Sequence, residues 1–350
     1  MHGRLNSLTG MRAIAAAVVF VHHLPVPVGA EQDLWERLTL QGPGGVTFFF
    51  ALSGFVLMWA LRPGDTAGRF YQRRFARIYP ALFVVLVAGL FVNAYVGVSQ
   101  DARHAFPAFL ALQAWIPNED YYFAVNPATW SLSAEAFFYL TFPLYAARLR
   151  LLSGRSVAVL GLALVTFVIA IETLYIFEPT PFVSWLLVQA PFVRVLAFIL
   201  GALVAVTVLE GRWPRLPWQP IAALGVGVYV LDGFHSGVAA SIITQPLVPS
   251  LLLIGALASI DARGGSTVFG SRGMVWLGEV SYSFYLVHIP VIALLAHHLE
   301  RPVVILTALP VALAVAALLH YSVERPFERR IRGGNSVAVA GTTAPAAARG

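Results

Sequence analysis

The sequence predicts an all-α fold, a polytopic bundle of about ten membrane-spanning helices with both termini in the cytosol. Three observations carry that expectation. Of the 350 residues, 58% are hydrophobic and only 11% charged, against about 25% charged in an ordinary soluble domain, so the chain cannot cover itself with a polar surface. The apolar residues gather in runs of about 17–22, the length that crosses the hydrocarbon layer as a helix. The arginines then fall almost entirely on one side of those runs.

The runs lie at 11–28, 45–61, 79–97, 129–147, 156–177, 191–209, 219–235, 242–260, 279–299 and 303–323. The stretch 104–116 is short and bracketed by charges, which suits a re-entrant or surface helix. With both ends inside, 19 of the 23 arginines occupy inside segments, Arg37, Arg103 and Arg301 lie outside, and Arg194 falls within a span. Making 104–116 a full span would invert everything after it and carry the later arginines outside. Residues 1–332 therefore read as one integral-membrane domain of a multi-pass protein, expected in a bacterial cytoplasmic membrane. The tail 333–350, rich in Gly, Ala, Ser and Thr, is expected to be disordered. Arg4 and Arg12 before an apolar run, with Val28-Gly29-Ala30 after it, would also suit a cleaved signal. Paired histidines inside that run and nine further spans argue against removal.

Composition excludes several chemistries. There is no cysteine, so disulfides, thiolate catalysis and thiolate metal sites are ruled out. Every basic residue is arginine, which rules out a lysine nucleophile or Schiff base. The net charge of +6 is spread over short loops at one face without interleaved aromatics, unlike a nucleic-acid surface. No metal site is expected.

Ionisable side chains at membrane depth are costly and mark candidate sites. On the first span, Arg12 and His23 are eleven residues apart, three helical turns plus about 20°. They share one face, with His23 about 16 Å nearer the outside, while His22 points away. A histidine there can serve as a base or simply bond a neighbouring helix. Glu135, in Trp130-Ser131-Leu132-Ser133-Ala134-Glu135, enters the fourth span from outside, at a depth of roughly 8–9 Å that matches His23. Equal depth permits a carboxylate–histidine pair that fixes the tautomer, although a structural hydrogen bond would also account for Glu135. Arg74 and Arg77 at i, i+3 share a helical face before the third span and could grip a pyrophosphate. As a charge run they also suit a topology signal or a contact with anionic lipid.

Other polar positions are ambiguous. Gly42-Pro43-Gly44-Gly45 reads as a turn, and Ser53-Gly54 as a site of close helix packing. Tyr282, Tyr285 and His288 lie on or near one face of the ninth span and suit packing at least as well as chemistry. Arg194, Glu172 and Asp232 near outer ends could line an acceptor site or snorkel, and Glu324-Arg325 reads as an inner-edge anchor.

Six blocks in order resemble membrane-bound acyltransferase family 3: residues 8–16 followed by His23; 45–55; the Arg-x-x-Arg run within 73–80; Trp130 to Glu135; 277–288; and Glu324-Arg325-Pro326. Each block is modest alone, and together they span most of the chain. The resemblance implies transfer of an acyl group, often acetyl, from acyl-CoA on the cytosolic side to a hydroxyl. The acceptor it implies is a carbohydrate, a glycolipid or cell-envelope glycan, or a secondary metabolite such as a macrolide sugar. It also implies His23 as catalytic base, with Arg74 and Arg77 near the coenzyme A phosphates; we expect Arg12 on the donor side and Glu135 as partner of His23. Two positions depart from the pattern. Asn6 stands where many relatives carry aspartate, and Ala136 follows Glu135 where a second carboxylate is common. The chain ends soon after its last span, so an extracytoplasmic hydrolase-like domain is not expected. The competing class is an anion transporter or flippase, against which the sequence shows neither inverted repeats nor matched broken helices.

Overall fold

In a computed structural model, the described residues are 3–25, 35, 39, 42–62, 64–177, 180–234 and 244–331. In chain order, α1 (Asn6–His22), α2 (Gly44–Trp59) and α3 (Ala67–Tyr95) precede two short helices, α4 (Ala102–Phe109) and α5 (Glu119–Tyr122). Then come α6 (Trp130–Arg150), α7 (Gly154–Phe177), the short α8 (Pro181–Val188), α9 (Pro191–Leu209), α10 (Trp218–Phe234), α11 (Thr244–Ala262), α12 (Arg272–His298) and α13 (Arg301–Leu319). Each expected span coincides with one long helix, and no strand occurs among the described residues. Five helical segments are long and apolar enough to cross a membrane, and three shorter apolar helices accompany them. The fold is an all-α polytopic membrane protein. The stretch 104–116 forms α4 and the 3-10 turn Gln113–Trp115, too short to span.

The helix ends differ from the hydropathy runs for local reasons. The first helix starts at Asn6 and stops at His22, well short of residue 28. Leu24-Pro25-Val26-Pro27 follows, and residues before proline are driven out of the α region. In the opposite sense, α3 begins at Ala67, with Thr66 accepting from the Arg69 amide as its cap. The whole arginine run is thereby helical.

Two close helix pairs build the centre: α2 lies along α9, and α1 along α12. A Cβ on Gly54 would sit 1.8 Å from the Phe198 carbonyl oxygen, and one on Gly201 1.8 Å from that of Ala51. Only glycine permits this approach, in keeping with the packing reading of Ser53-Gly54. Phe50, Phe138, Phe142 and Phe198 fill the space between α2, α6 and α9.

Of the two readings open for Arg194, burial excludes snorkelling. The side chain is 1% exposed, donates through Nη2 to Thr47 Oγ1 at 2.8 Å, and lies 5.2 Å over the Phe50 ring. It ties α9 to α2 and does not snorkel. Glu172 on α7 is buried as well. The side chain of Asp232 and the tail 333–350 lie outside the described residues.

Candidate active site

The helix α1 carries a polar group at each end. At its outer end, His23 is the residue that closes the helix. Its Nδ1 lies 2.8 Å from the Val19 carbonyl, which requires Nδ1–H as donor. His288 of α12 is buried, with its own Nδ1 2.6 Å from the Tyr285 carbonyl, so His288 Nε2 carries a lone pair. That nitrogen stands 3.4 Å from His23 Nδ1, a second and weaker acceptor for the same proton. Both rings thus hold one tautomer, and His23 Nε2 keeps its lone pair. Among the described residues it makes no hydrogen bond. His22 turns aside, its Nδ1 2.8 Å from the Thr39 carbonyl, and anchors the chain beyond α1.

Glu135 does not pair with His23. It accepts a hydrogen bond from Tyr139 at 2.9 Å, one turn along α6, and Ser53 donates to the Tyr139 hydroxyl at 3.0 Å. The two side chains are not at equal depth because α1 stops early: His23 sits at the end of its helix, while Glu135 lies more than a turn inside α6. The tautomer that Glu135 was expected to fix is set by the Val19 carbonyl and His288.

Glu135 instead lines a cavity of about 360 Å³ with Ser53, Tyr139, Tyr282, Tyr285 and three arginines, Arg12, Arg74 and Arg77. The expected donor-side arginines therefore converge. Their charges are not equally available. Arg77 is 2.5 Å from Glu328 and 4.0 Å from Glu324, and Arg73 beside it is paired with Asp65. Arg12 and Arg74 form no ion pair among the described residues. Glu324, expected as an edge anchor, is a buried hub that accepts from Ser283 at 2.8 Å and contacts His320 at 2.9 Å. Its place in a five-residue π-helix, His320–Glu324, is a geometry that hydropathy does not signal.

The cavity is bounded by Phe49, Ser131 and Tyr285 and does not include His23. Phe49 and Tyr285 meet edge to face at 6.2 Å, and Tyr285 is one turn before His288 on α12. The Tyr285 hydroxyl donates to the Ala128 carbonyl at 2.9 Å and lies 2.8 Å from Ser131 Oγ. Two polar sites result, an outer histidine pair and an inner cationic cavity with one carboxylate. Tyr139 at i+4 from Glu135 was available from helical spacing. The contact between His23 and His288, 265 positions apart, was not.

The acyltransferase domain family matches residues 5–321. Acyltransferase MdmB of Streptomyces mycarofaciens is 34% identical, over 96% of this chain and 95% of its own length. Exopolysaccharide production protein ExoZ of Rhizobium meliloti is 29% identical over 83% and 91%. Peptidoglycan O-acetyltransferase OatA of Listeria monocytogenes is 26% identical over 84% of this chain and 50% of its own. No solved structure matches. The chain belongs to the acyltransferase domain family, the membrane-bound acyltransferase family 3 that its six blocks resemble, and is a membrane acyltransferase.

Proposed function

We propose that this enzyme moves an acyl group, acetyl first among them, from acyl-CoA at the cytosolic face to a hydroxyl of a carbohydrate, glycolipid or cell-envelope glycan, in a bacterial cytoplasmic membrane. One observation carries the reading. A single helix, α1, bears an arginine of a cationic cavity and, about 16 Å farther out, a histidine whose Nε2 is left as a base. That separation is close to the reach of an extended pantetheine arm. Glycan acceptors are supported by the names of two relatives, an exopolysaccharide production protein and a peptidoglycan O-acetyltransferase.

In this mechanism Arg12 and Arg74 hold the donor's pyrophosphate with charge-assisted bonds. Arg77, already offset by Glu328 and Glu324, keeps the run in register. The thioester passes Phe49 and Tyr285 to reach His23. His23 Nε2 takes the proton of the acceptor hydroxyl as its oxygen attacks the thioester carbonyl. The tetrahedral intermediate collapses, the C–S bond breaks, and the imidazolium returns the proton to the departing thiolate. The products are an ester and free coenzyme A. Glu135, held by Tyr139, lines the same cavity as Arg12 and Arg74.

The acceptor is tested by mass spectrometry of envelope glycans and secreted metabolites from a deletion strain. Complementation by the wild type should restore ester groups on the glycan fraction, and His23→Ala should not. Ester loss confined to secreted small molecules would overturn the glycan reading.

A further inference from the structure

We infer that a second basic chamber, formed by Arg4, Arg62 and Arg150 outside the arginine cavity, binds a 3′-phosphorylated adenosine, the head of the acyl-CoA donor. This rests on the donor reading above and adds a site for the part of the molecule that the inner cavity does not hold. The chamber has a volume of about 690 Å³, within the range of small-molecule sites. Three helix ends enclose it: the segment leading into α1, the end of α2, and the end of α6, which brings Arg150.

Shape, charge and lining point to a nucleotide. The chamber and the inner cavity share Arg12, Leu52, Val56 and Ala60 as lining, so a ligand can extend from one into the other past Arg12. No carboxylate lines it among the described residues. Arg12, Arg62 and Arg150 form no ion pair among the described residues, and Arg4 is paired only with Glu279, which is not in the lining. Arg150 is also held in place, donating through Nη1 to the Leu61 carbonyl at 2.9 Å. The three guanidinium groups without an ion pair, Arg12, Arg62 and Arg150, favour a phosphate dianion in the space they share. Trp59, stacked on Phe55 at 5.9 Å, is also in the lining and brings an indole, a group on which bases stack, to its wall. An anionic lipid headgroup would satisfy the arginines, but it needs neither the indole nor the continuity with the inner cavity.

The test uses the full chain in nanodiscs of zwitterionic lipid, titrated with acetyl-CoA and with its 3′-dephospho analogue. The wild type should bind acetyl-CoA more tightly by about 10- to 150-fold, the worth of one lost charge-assisted contact. Arg62→Ala and Arg62→Ala/Arg150→Gln should erase that preference and leave affinity for the dephospho analogue unchanged. Arg62 is exposed and forms no ion pair among the described residues, so its single variant keeps the test valid if the double variant unfolds. A wild type that binds both donors equally would overturn the inference while leaving the acyl-CoA reading intact. So would variants that keep the wild-type preference. Variants that lose only a response to added phosphatidylglycerol would make the chamber a headgroup site. A wild type that binds neither donor would instead defeat the donor reading itself.

Discussion

At the residue scale, the account turns on one nitrogen. The Val19 carbonyl and His288 Nε2 both accept from His23 Nδ1–H, and Nε2 is thereby the basic atom. His23→Ala should lower acyl transfer by about 100-fold or more, the usual contribution of a positioned base, with donor affinity unchanged. His288→Ala removes only the weaker acceptor and should cost less in rate, again without affecting donor binding. His22→Ala should act through anchoring of the Thr39 segment, lowering thermal stability more than turnover at saturating substrate. Steady-state kinetics and melting curves on matched detergent preparations check all three. The arginines separate similarly. Arg74→Ala should raise the acyl-CoA requirement by about 10-fold or more. Arg77→Ala should chiefly lower the melting temperature, because it strands the buried Glu324 without its cation.

At the scale of the element, the α2–α9 contact positions the cavity wall. Gly54→Val would drive a side chain into the Phe198 carbonyl. Overpacking of this kind costs about 1–3 kcal/mol, read as a lower melting temperature with activity lost in step. The same element scale separates what the sequence discloses from what it hides. Ten helices follow from hydropathy because the bilayer requires about 20 apolar residues per span. The convergence of Arg12, Arg74 and Arg77 follows from helical phase together with topology. The end of α1 was also legible, in Pro25 and Pro27, but a hydropathy run counts proline among apolar neighbours and passes over it. That misplacement of His23 produced the false pairing with Glu135. The His288 contact, the Tyr139–Glu135–Ser53 chain and the ion pairs around Arg77 depend on which helices are neighbours. One-dimensional periodicity is silent on that.

At the scale of the whole molecule, the bundle places a cationic cavity toward the arginine-rich face and a histidine pair toward the other. The positive-inside bias assigns the first face to the cytosol. The absence of cysteine makes every introduced thiol unique. Gly64→Cys should label with a membrane-impermeant maleimide only from the cytosolic side, and Asn118→Cys only from outside. Labelling in the reverse sense would put the donor cavity on the wrong side of the membrane. The most direct test of the central claim is coenzyme A thiol release by the purified protein in liposomes supplied with acetyl-CoA and an envelope glycan acceptor. The account predicts acceptor-dependent thiol release with equimolar ester formation, lost in His23→Ala while acetyl-CoA binding persists. Wild-type release by His23→Ala, or solute flux across the liposome without any thiol release, would contradict it.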